Sequence, residues 1–161
     1  MGLFSHEPQQ APNWYVAATH YLTSGLVAPT LISGAAYLSL GLLLPNIENV
    51  FLNMVTGFII SILSLWLGII YSKNYLDRTY IIKDCVRVVN LSTMYYLIAG
   101  YIWIGLLYFY DFLYVIAQSL SGRAYINHLT KEGDLPIMAL FILIETYIFY
   151  TLSKKYLQPQ K

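Results

Sequence analysis

Four apolar runs separated by three polar stretches set the pattern of this chain. Residues 14–44 and 50–72 contain no Asp, Glu, Lys or Arg, a third run over 88–118 contains only Asp111, and a fourth over 135–153 contains only Glu145. A helix rises about 1.5 Å per residue and a bilayer core is about 30 Å thick, so each run has the length of a membrane span. The stretch 45–49 is too short for anything but an antiparallel hairpin connection. The stretch 73–90 is different in kind, because it gathers Lys73, Asp77, Arg78, Lys83, Asp84 and Arg87. The pattern predicts an all-α fold: a polytopic bundle of four transmembrane helices, two hairpins joined at a hinge over 73–90. A short polar tail over 1–13 precedes the transmembrane domain 14–155, and a second tail covers 156–161.

Local signals refine the four spans. Asn13 has the side chain of an N-cap for a helix starting at Trp14. Pro29 falls inside the first run and predicts a kink, with Thr30 and Ser33 near enough to cover the freed carbonyl. Small residues mark contact faces in lipid, which points to Gly25, Thr30, Gly34 and Gly41 on the first helix and to the stripe Gly57, Ser61, Ser64 and Gly68 on the second. In the hinge, the spacing predicts a helix running to about Arg78 and a new one starting near Lys83. A β-hairpin turning at Lys83-Asp84 is the alternative, disfavoured because Lys-Asp is a poor two-residue turn.

Composition changes the solvent, not the pattern. With 58% hydrophobic and only 11% charged residues among 161, the chain departs far from soluble usage, and a bilayer is the partner that covers most of it. A net charge of +1 with no basic run outside the hinge argues against nucleic acid. The single Cys85 offers no disulfide, redox pair or thiolate cluster. Basic residues divide unequally: Lys73, Arg78, Lys83, Arg87, Lys154, Lys155 and Lys161 belong to the hinge and tail side, Arg123 and Lys131 to the other. The positive-inside rule then places both termini and the hinge in the cytoplasm, in a cell membrane or another internal membrane.

Candidate chemistry is sparse. Glu145 is ten residues into its run, about 15 Å deep, where an ionised carboxylate costs at least about 2.5–3.5 kcal/mol. It is therefore either a proton or cation site or a neutral acid hydrogen-bonding two helices, with Thr30, Ser33, Ser61, Ser64 and Tyr101 as partners at matching depth. His20, near the hinge-side end of the first run, is a second candidate for proton or ion chemistry, although an interfacial hydrogen-bonder is the commoner role of such a residue. Arg78, Lys83 and Arg87 form a candidate grip for a lipid headgroup or a partner, set against the simpler role of a solvated loop. No cofactor or metal is expected: haem would need a second buried His, and no His, Asp and Glu are spaced to share a helix face. No serine triad or phosphate loop is recognisable.

Three functions follow in order. The first is a non-catalytic membrane subunit or scaffold packing against other membrane proteins, a homo-oligomer being the other partnership expected. The second is an oligomeric proton- or cation-coupled transporter of a small solute, using Glu145. The third is a membrane-embedded enzyme acting on lipid at the hinge.

Overall fold

The computed structural model describes residues 9–43, 50–120 and 134–158. The turn expected at 45–49, the polar residues Arg123, His128 and Lys131, His6 in the first tail and Lys161 lie outside them. Every regular element among the described residues is helical: α1 (Asn13–Tyr21), a π-helical segment (Leu22–Val27), α2 (Ala28–Leu43), α3 (Val50–Thr79), α4 (Cys85–Leu120) and α5 (Asp134–Leu157). Three of them, α3, α4 and α5, are long and apolar enough to cross a membrane. The first apolar run is instead divided by the π segment into α-helices of 9 and 16 residues.

Pro29 explains that division. Its ring crowds the carbonyl four residues back, at Gly25, and it has no N–H to offer that carbonyl. A wider π turn just upstream relieves the conflict, and the Ala28 N–H bonds to the Thr23 carbonyl, five residues back. The expected rescue by Thr30 and Ser33 does not occur. Thr30 donates to Leu26 O at 2.6 Å, its own preceding turn, while Ser33 pairs with Ser64 Oγ across to α3 at 3.2 Å. Asn13 is also not the cap. Pro12, in extended conformation, holds that position, and its carbonyl accepts from the Tyr15 and Val16 amides.

The widened turn redirects the chain. Before it, α1 packs on α4; after it, α2 packs on α3. The helix α5 lies against both α3 and α4. Gly68 lets α3 approach the π segment closely, since a Cβ there would stand 2.8 Å from Ser24 O and 2.9 Å from Ala28 Cβ. Neither obstacle is a flexible side-chain end, so Gly68→Ala must push two helices apart. We expect it to destabilise the protein by about 1–3 kcal/mol, read as the shift of a denaturant unfolding curve in detergent; an unchanged midpoint would refute the close approach. The first helix's small residues behave differently. Gly34 has no neighbour within 4 Å of a built Cβ, and Thr30 is exposed, so that part of the expected stripe faces outward.

At the hinge, helices form on both sides and no hairpin does. Asp84 caps α4, its Oδ1 accepting from the Arg87 amide at 2.9 Å. Lys73 and Asp77 make an exposed ion pair one turn apart, at 3.8 Å. The break is also tied to the tail: Gln9 N donates to Thr79 O at 2.9 Å, Ile81 N to Gln9 O at 3.1 Å, and Lys83 Nζ to Gln10 Oε1 at 3.0 Å. A buried cluster of Val16, Ala17, Leu76, Val88, Val89 and Leu157 closes this end of the bundle. Beyond the hinge, α4 is one continuous helix, and Asp111 within it is buried, at 5% exposure.

Candidate functional site

Two polar clusters lie inside the bundle, and each is assembled from three helices. The first centres on His20, which is fully buried. Its Nδ1 lies 2.8 Å from Ser72 Oγ on α3 and its Nε2 2.9 Å from Ser153 Oγ on α5. Thr23 Oγ1 lies 2.7 Å from both Ser72 Oγ and the Thr19 carbonyl oxygen, and the Ser24 hydroxyl bonds back to the His20 carbonyl. A neutral imidazole has one donor and one acceptor. Each ring nitrogen thus has one serine hydroxyl as its partner, one bond donated by the ring and one accepted. His20 is thus a hydrogen-bonder at the centre of a three-helix clamp, level with Ser72 and Ser153, which adjoin the basic residues Lys73 and Lys154.

The second cluster holds Glu145. Ser61 Oγ donates to Oε1 at 2.7 Å and the Tyr96 hydroxyl to Oε2 at 3.2 Å. Of the five partners expected from depth, only Ser61 meets it. Thr30 and Ser33 bond elsewhere, Ser64 donates to Ile60 O at 2.6 Å, and Tyr101 is exposed. Tyr96 was the missing partner, and a signal for it exists. Arg87 to Tyr96 and Glu145 to Lys154 are equal separations of nine residues, so counting inward from the basic hinge-side residues places the two groups level.

Aromatic rings connect the clusters. Phe149, fully buried, lies with its ring 5.4 Å from the His20 ring and stacks on Tyr96 at 4.8 Å with planes 19° apart. Tyr21 then meets Tyr96 edge-on at 6.3 Å. Behind these rings an apolar groove of about 390 Å³ runs between the first helix, α4 and α5, with Glu145 at its polar end and Tyr21, Tyr96 and Trp103 among its walls. The groove exists where the π segment turns the first helix away from α4.

The hinge residues do not converge in the same way. Arg78 and Arg87 are exposed, and Lys83 is engaged with Gln10. A larger cavity of about 730 Å³ opens at this end, lined by Lys73, Asp77, Cys85 and Lys155 rather than by the three candidates. Among the described residues no group of three His, Cys, Asp or Glu side chains is placed to hold a metal. No family model matches the chain, and no curated protein or solved structure is significantly similar to it.

Proposed function

We propose that the chain is a four-span membrane protein whose first span is the continuous path of α1, the π segment and α2, and that it acts as a non-catalytic membrane subunit or scaffold. Together those three pieces reach residue 43 from residue 13, about 45 Å of helix and enough to cross a bilayer with tilt. The observation that carries the subunit reading is how the inward polar groups are used. His20, Ser72, Ser153 and Thr23 bond to one another across helices, as do Glu145, Ser61 and Tyr96. Such side chains hold helices together in lipid, where exposed apolar surface alone gives no preference between protein and solvent. The outer surface offers aromatic and aliphatic anchors to a neighbour, notably Ile102, Trp103, Phe109 and Phe112 on α4.

The basic residues at the α3–α4 break and the end of α5 favour a cytoplasmic location for that end and for both termini. Purification in mild detergent through a C-terminal tag should recover other membrane proteins in stoichiometric amounts; recovery of the chain only with itself would refute the subunit reading. A C-terminal reporter found on the outer side would overturn the orientation.

A second reading is favoured by one observation, the opening of an apolar groove onto Glu145. It is a solute-binding role for that carboxylate, which its two hydroxyl donors leave free to accept further.

A further inference from the structure

We infer that the groove at Glu145 is a binding site for a lipophilic organic cation, one whose charge is spread over a large apolar body and which enters from the bilayer. The inference rests on the membrane placement of α4 and α5 and not on the subunit reading.

Three features of the groove define the ligand. The first is charge. Glu145 is held from both sides by neutral donors, Ser61 on Oε1 and Tyr96 on Oε2. Both oxygens act as acceptors, so the complementary group is a donor or a cation; among the described residues no basic side chain pairs with this acid. The second is the lining. Tyr21, Tyr96 and Trp103 share the groove with the carboxylate, and aromatic faces attract organic cations while excluding the hydration shell that a small inorganic ion would keep. The third is the mouth. Leu26, Ile102 and Leu106 line the groove and are each about half exposed, at 47%, 57% and 54%, so an apolar body leaves the site directly into lipid. The volume of about 390 Å³ lies within the range of small-molecule pockets.

Depth selects among cations. Glu145 stands near the middle of α5, about 17 Å from either end at 1.5 Å per residue. A phospholipid amine is fixed to a phosphate at the interface and does not reach it. A primary ammonium ion would have to shed tightly held water to do so. A bulky cation with delocalised or shielded charge has little such water to lose.

The glycine at the first-helix wall is part of the site's construction. A Cβ on Gly25 would come 2.9 Å from Tyr96 Cδ2 and 3.0 Å from Tyr21 Cδ2. With glycine there, both rings stand against the helix and the Tyr96 hydroxyl reaches the acid.

The test uses the full chain in nanodiscs of zwitterionic phosphatidylcholine, with radiolabelled tetraphenylphosphonium as probe and empty nanodiscs as the partition control. Saturable binding above the control is expected, weakened at least about tenfold by Glu145→Gln, which removes a charge-assisted contact worth more than a neutral one. Leu106→Trp should weaken it as well, by narrowing the mouth from a lipid-exposed position that leaves the Glu145 hydrogen bonds untouched. If Glu145→Gln fails to fold, Leu106→Trp decides the matter. Absence of a saturable component, or wild-type affinity in the folded variant, would overturn the inference. So would equal competition by triphenylphosphine oxide, a neutral molecule of similar shape, because the site would then read shape and not charge.

Discussion

Replacing His20 with alanine is expected to lower the free energy of unfolding by about 3–5 kcal/mol, among the largest effects of any single change in this chain. Two costs combine. The ring is fully buried, so its removal leaves a cavity between α1, α3 and α5 that helices tied elsewhere do not close. The Ser72 and Ser153 hydroxyls also lose the nitrogen atoms they face at 2.8 and 2.9 Å. In a helix such a hydroxyl turns back to the carbonyl one turn earlier, as Ser24, Ser64 and Thr93 already do. That fallback trims the second cost, which is why the expected loss stays below the sum of cavity and orphaned donors. Ser153→Ala, leaving one ring nitrogen bonded, should cost about 1–2 kcal/mol. Equilibrium unfolding in a fixed detergent composition compares the two, and a loss under about 1 kcal/mol for His20→Ala would mean that the clamp does not hold the helices.

Phe149→Ala should be as severe, about 3–5 kcal/mol, for a different reason. Phe149 is fully buried with Leu65 and Ile69, and its ring contacts both the His20 and Tyr96 rings. Its removal withdraws the surface on which both polar clusters are built. The cost should therefore overlap with that of His20→Ala, and the double variant should be less destabilised than the two single losses added together, by about 0.5–3 kcal/mol. Strict additivity would show that the clusters are independent. Phe149→Leu, which keeps most of the volume, should retain most of the stability.

The positions of the helices were legible in the sequence far more than their rotations. Apolar runs located α3, α4 and α5, and Thr79 and Asp84 bracket a break that the charge density at 73–90 already marked. Rotation is another matter. In water an apolar stripe tells which face of a helix turns inward; in lipid the outward face is equally apolar, and α4 carries Trp103 and Phe109 outward with no polar face opposite. Only the polar residues themselves report the inside. His20, Ser72 and Ser153 met there, but nothing in their spacing along the chain linked residue 20 to residue 153.

Register between helices was similarly hidden. Depth along the sequence pairs Glu145 with Tyr101, whereas Tyr96, more than one turn nearer the hinge, is the tyrosine that reaches it. The sequence of α4 carries no mark of where the helix enters the membrane, so depth along it has no fixed origin. Pro29 gave a third partial answer. It predicted a disturbance, yet the accommodation took the form of a widened turn upstream, and the groove follows from that choice.

The bond pairs joining Gln9 to Thr79 and Ile81 also impose an order on assembly. They close a loop of about 70 residues, so they form only after α3 has been synthesised. Once formed, they fasten the start of α1 to the end of α3. The edge of Tyr80 against Tyr15, with ring centres 5.9 Å apart, reinforces the fastening. The helices α4 and α5 follow in the chain, so His20 gains Ser153, its last partner, only when α5 is in place.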